Sequence, residues 1–426
     1  MFITDIIDKK RKAYSLTKEE IEFAVNGFIA GDVLPEQMSA LLMAIVINGM
    51  NKKETFYLTK TMQNSGKTYT FSFDAVDKHS SGGVGDSTTL VLLPILSSLG
   101  IKVAKMSGKA LGYTGGTIDK VSCFEGFNTD LTQKEFEQVI SKVNGSIISQ
   151  TEDIALADKK IYALRDKCAC VESIPLIASS IMSKKLASGS NTILLDVKCG
   201  EGAFMKTKKD AIKLAKTMVE IGKLDGKDIV AFVTNMDSPL SFGVGCAQEV
   251  YSVINALKGE SGDLLTLSKL LSAQLYSMAN RVSINEAMFE VEKSLRSGLA
   301  LKQLKNVVKA QGGDTAVIDD PDLLLRAKNK YEMTYDGSVG YIAKINALTI
   351  AKVQKLLQVK ASEKDKKLCG LILKVKVGDI IKQGDVLATL YTFDKVDDGV
   401  KQLFMSAFTF SSRKPKNEKL LIKIIK

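Results

Sequence analysis

Two glycine-rich loops, each entered from a short apolar, strand-like run, constrain this 426-residue chain more than any other feature. The first is Val76-Asp77-Lys78-His79-Ser80-Ser81-Gly82-Gly83-Val84-Gly85-Asp86-Ser87-Thr88-Thr89. The second is Lys105-Met106-Ser107-Gly108-Lys109-Ala110-Leu111-Gly112-Tyr113-Thr114-Gly115-Gly116-Thr117-Ile118-Asp119. Glycine lets successive N–H groups face one concavity, hydroxyls add donors, lysine adds charge, and a following helix adds the positive end of its dipole. That inventory suits a phosphate. Neither standard nucleotide fingerprint is met, because Thr88 stands where the third dinucleotide-binding glycine belongs and no Gly-Lys-Ser/Thr follows. The residues alone leave two readings, a generic anion loop or a pair of tight turns joining strand to helix.

Around these loops the pattern alternates. The first seventy residues read as helices: Thr17 with Glu20 makes a capping box before a run ending at Gly31, and Asn51 with Glu54 repeats it after a run from Glu36 to Asn48. Ile21, Ala24, Phe28, Leu41, Met43 and Ile45 fall on apolar stripes suited equally to a core and to a dimer interface. From Thr68 the order becomes strand, loop, helix, strand, loop, with Asp86 placed to cap a helix running to Gly100 and Ile101-Lys102-Val103-Ala104 as the next strand. This is βαβ organisation and predicts a parallel sheet. Thr132 with Glu135 caps another helix. Helical pattern returns over 154–165 and 173–188, with Pro175 in the first turn and Gly189 just past the end. Ser180 and Lys184, four apart, share a face of the second of these helices, where a lysine more commonly snorkels to the surface than binds a ligand. Beyond Thr207 helices are expected to alternate with short strands, and Leu371 to Leu390 reads as short strands with Gly-Asp turns.

At this length two or three domains are expected. The divisions fall at 1–67 (helical, first part), 68–152 (α/β, first part), 153–190 (helical, second part), 191–330 (α/β, second part) and 331–426 (C-terminal α+β). The fold class is therefore α/β: a small all-helical domain beside a larger α/β domain with a mixed sheet and a β-rich C-terminal subregion. No apolar run reaches the roughly 18 residues that span a bilayer, and Met1-Phe2-Ile3-Thr4-Asp5 lacks the start of a signal peptide, so a cytoplasmic protein with no membrane partner is expected. The six cysteines are scattered and there is one histidine, which argues against a zinc site and against a disulfide framework. A formal charge of +11 spread along the chain, without tryptophan or aromatic-interleaved basic runs, does not call for nucleic acid.

Lys78-His79-Ser80-Ser81-Gly82-Gly83-Val84-Gly85-Asp86 and Ser107-Gly108-Lys109 through Lys120 closely resemble pyrimidine-nucleoside phosphorylase and thymidine phosphorylase. The likeness continues through Ala157-Asp158-Lys159-Lys160-Ile161-Tyr162-Ala163-Leu164-Arg165-Asp166, Ser173-Ile174-Pro175-Leu176-Ile177, Lys184-Lys185-Leu186-Ala187, Asp196-Val197-Lys198 and Met236-Asp237-Ser238-Pro239-Leu240, in family order. The resemblance implies phosphorolysis of uridine, deoxyuridine and thymidine to free base and (deoxy)ribose 1-phosphate. A branch restricted to thymidine and deoxyuridine, or a non-catalytic nucleoside-binding homologue, is the alternative. It also implies a homodimer formed through the helical domain and no organic cofactor.

Carried over residue by residue, the phosphate contacts are Lys78, His79, Ser80, Thr89, Lys105, Met106, Ser107 and Thr117, and the base contacts are Arg165, Ser180 and Lys184. His79, Arg165 and Lys184 carry the catalytic roles: the histidine as proton donor to the departing base, its unperturbed pKa near 6.5 suiting that work, and the two cations against the charge that develops there. The family's potassium group maps to Gly85, Ser87, Leu240, Gly243 and Ser252, with Ser252 standing where a glutamate is expected. Lys109 replaces a signature arginine, Tyr113 a histidine and Ser122 a glutamate, and a Gly/Arg-rich closing loop is represented by Val359-Lys360-Ala361-Ser362-Glu363-Lys364-Asp365-Lys366-Lys367. Lysine keeps the charge and loses the fork. The related anthranilate phosphoribosyltransferases would show Gly-Thr-Gly-Gly-Asp and an Asp-Glu pair for magnesium, and neither is present.

Overall fold

A computed structural model of the chain describes residues 1–109, 115–151, 153–416 and 418–426. The N-terminal helices are α1 (Ile3–Arg11), α2 (Lys18–Ala30), α3 (Pro35–Asn48) and α4 (Lys52–Asn64). Both capping boxes form: the Glu20 N–H donates to Thr17 Oγ1 at 3.3 Å while the Thr17 N–H donates to Glu20 Oε2 at 2.7 Å, and Asn51 with Glu54 does the same at 2.9 and 2.8 Å. Glu54 has a second task. Its Oε1 accepts from the buried Lys10 ammonium at 2.7 Å and from the Leu16 N–H at 2.9 Å, which fastens α1 and the following turn to α4.

The apolar stripes divide. Ile21, Ala24, Leu41 and Ile45 are buried with Met38, Leu58 and Met62, Phe28 packs at the margin, and Met43 faces outward. The same core takes Ala157 and Ile161 from α8 (Leu156–Lys167) and Leu176 from α9 (Ile174–Ala187), so the helical domain is assembled from two separated stretches.

Between them the chain lays down β1 (Val76–Ser80), α5 (Thr88–Ser98), β2 (Val103–Ser107), α6 (Thr117–Val121), α7 (Gln133–Val143) and β3 (Gly145–Ser149). After α9 come β4 (Thr192–Cys199), α10 (Lys208–Leu224) and β5 (Asp228–Asn235). Strands β1 to β5 are parallel, β4 lying beside β1 in the register His79↔Leu195 and Ser80↔Asp196. The last strand, β13 (Leu421–Ile425), adds antiparallel to β5, so among the described residues the sheet order is β13-β5-β4-β1-β2-β3 and the sheet is mixed. Parallel strands need helical crossovers, and these cover both faces: α10 and α9 lie on one, α5 on the other.

The stretch after β5 departs from the expected alternation. Beyond the two-residue β6 (Gly243–Val244), α11 (Cys246–Leu257), α12 (Asp263–Asn280), α13 (Ile284–Arg296) and α14 (Leu299–Ala310) follow with no strand between them. Their apolar residues recur at helical spacing and pack against α5, whose residues from Thr88 to Ser97 are all buried and need cover on every side. The C-terminal part holds β7 (Asn329–Thr334), β8 (Gly340–Ile345), β9 (Gly370–Leu373), β10 (Ile380–Ile381), β11 (Val386–Thr392) and β12 (Phe408–Ser411) in two small antiparallel sheets, β10-β8-β12 and β6-β9-β11-β7. Its Gly-Asp turns form: Asp379 accepts from the Lys376 N–H at 2.7 Å and Asp385 from the Lys382 N–H at 2.9 Å.

Candidate active site

Parallel strands expose their carboxyl ends at one edge, and in such sheets ligands bind in the crevice outside that edge. Here β1 delivers Lys78, His79 and Ser80 there, β2 delivers Lys105, Met106 and Ser107, and the starts of α5 and α6 add Thr89 and Thr117. Opposite them, α8 carries Arg165 and α9 carries Ser180 and Lys184. One cleft of about 520 Å³ is lined by His79, Ser80, Thr89, Lys105, Met106, Ser107 and Thr117 on one wall and by Arg165, Ser180 and Lys184 on the other. Two sets of residues separated by about fifty to a hundred positions in sequence thus face the same space.

Lys78 is the exception among the expected contacts. Its side chain runs beneath the loop, where the ammonium donates to Thr88 Oγ1 at 2.6 Å and lies 3.2 Å from Asp196 Oδ2. On a strand, neighbouring side chains point to opposite faces, so His79 in the cleft wall sends Lys78 under it. Lys105 stays in the wall, donating to the Lys78 carbonyl at 2.6 Å and to Asp77 Oδ1 at 3.3 Å.

Sequence reasoning missed what supports these residues. Asp77, fully buried, bridges Lys105 to Lys185, whose ammonium donates to Asp77 Oδ2 at 2.7 Å and to the Met106 carbonyl at 3.1 Å. Asp196 pairs with Lys198 at 2.7 Å. Asp86 accepts from Ser80 Oγ at 2.5 Å, from Thr88 Oγ1 at 2.7 Å and from the Thr88 N–H at 3.3 Å, so it fixes the loop, while the N-cap position of α5 is Ser87 rather than the expected Asp86 and carries no side-chain cap. Burial raises the Asp86 pKa, but Lys198, Lys78 and Lys120 with the Ser80 hydrogen bond hold its carboxyl well below the usual range. The signal in the sequence was an aspartate inside each apolar strand run, Asp77 and Asp196, since an unpaired buried carboxylate is too costly to keep. With Lys105 protonated, Lys78, Lys105, Lys185 and Lys198 outnumber Asp77, Asp86 and Asp196, and the floor of the cleft is left positive.

The opposite wall is held differently. Arg165 is buried, and its guanidinium is gripped by backbone carbonyls: Nε donates to Cys170 O at 3.0 Å, Nη1 to Leu176 O at 3.2 Å and Nη2 to Val171 O at 2.7 Å. Lys184 donates to Asp158 Oδ2 at 2.6 Å and to Ser180 Oγ at 3.2 Å, so the residues four apart on α9 meet as their spacing predicts. Burial, then the charges of Lys185, Lys105, Lys78 and Lys184, pushes the His79 pKa well below 6.5. The imidazole is therefore harder to protonate in the unliganded protein than the ordinary histidine its sequence position suggests.

The residues expected to hold potassium lie where the first glycine loop meets the turn after β5. The Leu240 N–H donates to Val84 O at 3.0 Å, the Ser87 hydroxyl to Glu249 Oε2 at 2.8 Å and the Gly243 N–H to Ser252 Oγ at 2.9 Å. Of the departures, Lys109 is exposed beside the cleft, Tyr113 lies outside the described residues, and Lys367 of the closing segment donates to the carbonyl of Ser122 at 3.2 Å.

Residues 4–66 match a glycosyl transferase family, helical bundle domain, and residues 72–301 a glycosyl transferase family, a/b domain. The chain is 45% identical over 410 residues to pyrimidine-nucleoside phosphorylase of Geobacillus stearothermophilus, covering 94% of each chain. It is 43% identical over 413 residues to that of Bacillus subtilis (strain 168), covering 95% of each. Anthranilate phosphoribosyltransferase (TrpD) from Thermus thermophilus shares the fold at a TM-score of 0.58 and 15% identity, across 72% of this chain and 99% of that one. That second resemblance is of architecture alone. With both domains matched in order and such identity sustained along nearly its full length, the chain belongs to the pyrimidine-nucleoside phosphorylase family of pentosyltransferases.

Proposed function

We propose that the protein catalyses phosphorolysis of pyrimidine nucleosides, accepting uridine, deoxyuridine and thymidine, with Arg165, Ser180 and Lys184 holding the base and Ser80, Thr89, Lys105, Met106, Ser107 and Thr117 the phosphate. The single observation that carries this reading is the shared cleft, which sets a cationic floor opposite a fixed arginine and lysine. A phosphate oxygen attacks C1′ as the glycosidic C–N bond breaks, and the bonding pair leaves with the pyrimidine. Negative charge then grows on the base facing Arg165 and Lys184, where preorganised cations stabilise it most. Phosphate held beneath C1′ supplies proximity. His79, hard to protonate when the site is empty, gains the proton it needs for the departing base when the phosphate dianion arrives among the lysines.

In this reading residues 1–67 and 153–190 form the helical domain, which exposes Phe23, Met43 and Ile47 as apolar surface for a homodimer. The free cysteines fit a cytoplasmic enzyme, and no described helix is long and apolar enough to cross a membrane. The test is release of base from the three nucleosides with and without phosphate. Phosphate-dependent cleavage of all three is expected. Cleavage of thymidine and deoxyuridine alone would assign the restricted branch, and no cleavage would reject the proposal. Light scattering at twice the chain mass checks the dimer.

A further inference from the structure

Gly85, Ser87, Leu240, Gly243 and Ser252 already hydrogen-bond to one another and to their neighbours. The Gly243 carbonyl accepts the Ser241 hydroxyl, the Gly85 carbonyl accepts the Ser87 N–H at 3.2 Å, and Ser252 Oγ accepts the Gly243 N–H at 2.9 Å. The Leu240 carbonyl lies 3.4 Å from the Lys376 ammonium, which also donates to the carbonyls of Pro239 at 2.8 Å and Ser241 at 3.2 Å. Of the carboxylates near the group, Glu249 is committed to Ser87 and to Lys120 at 2.7 Å in a buried ion pair, while Glu260 and Asp263 line the space beside Leu240 and Ser252. A potassium ion here would meet carbonyls that already accept hydrogen bonds, a serine where the carboxylate ligand is expected, and a lysine ammonium bonded to one of the same oxygens. An uncompensated second cation in a buried place is costly. The residues present do not fit the ion.

They do fit a clasp. Gly85 has φ +65°, and a Cβ there would stand 2.7 Å from Ser241 Oγ and 3.0 Å from Ser241 N, so the phosphate loop rides directly on the turn 240–243. The Leu240 N–H to Val84 O bond closes the same contact from the other side. Gly243 and Val244 then pair with Ile372 and Leu371 of β9, which ties the clasp to the C-terminal sheet.

We infer that Ser241 and Ser252 are positioning residues whose hydroxyls lock the 240–243 turn under the phosphate loop, and that this chain needs no monovalent cation for that purpose. The inference rests on the proposed phosphorolysis only for its kinetic arm. Melting of the full chain is compared in potassium, sodium and choline chloride at matched ionic strength, and phosphorolysis is followed in the same salts. Equal melting temperatures and rates are expected; a gain specific to potassium in either would overturn the inference. Ser241→Gly and Ser252→Ala are each expected to raise KM for phosphate about three- to tenfold, the worth of one hydrogen bond, with little change in kcat. Ser252→Thr, which keeps the hydroxyl, is expected to restore KM. An unchanged KM in both variants, or a fall in kcat alone, would show that the hydroxyls do not position the loop. Ser241→Gly combined with Ser252→Glu frees a carbonyl and supplies a carboxylate, and is expected to melt higher in potassium than in choline. Its indifference to potassium would show that these serines are not what excludes the ion. If no salt supports turnover, the reading of phosphorolysis fails, and the melting comparison still decides whether the chain takes the ion.

Discussion

Burial first, and then the charges of Lys185, Lys105, Lys78 and Lys184, hold the His79 pKa below the ordinary imidazole value. Because it is the chain's one histidine, its ring can be followed by NMR without assignment. The expected titration lies below 6.5 in the free protein and moves up when sulfate or phosphate fills the site, since a dianion favours the protonated ring. A free-protein value at or above 6.5 would contradict the geometry. Lys105 is pushed down to about 7, chiefly by burial, with Asp77 opposing and Lys185 and Lys78 adding to the shift. Protonated below that value and neutral above it, Lys105 should make sulfate binding weaken as pH rises through about 7, and Lys105→Met should flatten that dependence. Sulfate is the better probe because it stays a dianion throughout. On the opposite wall, Arg165→Lys keeps a charge but cannot reach three carbonyls at once. A loss in kcat/KM of about a hundredfold is expected, comparable to removing one preorganised transition-state donor.

Helix ends were legible in the sequence because capping is local: Thr17 with Glu20, Asn51 with Glu54 and Thr132 with Glu135 each sit three apart, and each box forms. Thr17→Ala should cost about 1 kcal/mol, read from denaturant unfolding. The buried pair Lys10 to Glu54 was not legible, for its partners are 44 residues apart and neither looks unusual alone. Lys10→Met leaves the Glu54 carboxylate buried without its cation, and a loss of about 3–5 kcal/mol is expected in the same measurement. Lys10→Arg should recover part of it. The helices α11 to α14 show the limit of reading by alternation. Their apolar period was helical throughout, but that they follow one another without strands depends on the need to cover α5, which no local pattern states.

Across the whole molecule the cleft exists because the chain leaves the helical domain after α4, builds β1 to β3, and returns as α8 and α9. Lys60 of α4 binds Asp225 beyond α10 at 2.6 Å, and the Tyr69 N–H donates to Ala187 O at 2.8 Å, which fix the two domains' junction. A ligand that binds the folded chain and not the unfolded one must stabilise it. Phosphate or sulfate at a hundred times its Kd should add about 2.7 kcal/mol, seen as a rise in melting temperature. No rise would mean that the positive floor does not hold the anion.

The amino-acid sequence by itself determined the glycine loops, the βαβ order, the caps, the Gly-Asp turns and the pairing of Ser180 with Lys184, because each depends on residues a few positions apart. Motif spelling also carried the family. Only the tertiary structure decided that Lys78 turns under the loop while Lys105 stays in the wall, that Asp77 joins Lys105 to Lys185, that burial and nearby lysines make His79 hard to protonate, and that the 240–243 turn is closed by serine hydroxyls. Charge, burial and hydrogen-bond partners are properties of neighbours in space, and in this fold they join separate strands, helices and turns, in the extreme residues more than a hundred positions apart, as Asp77 and Lys185 are.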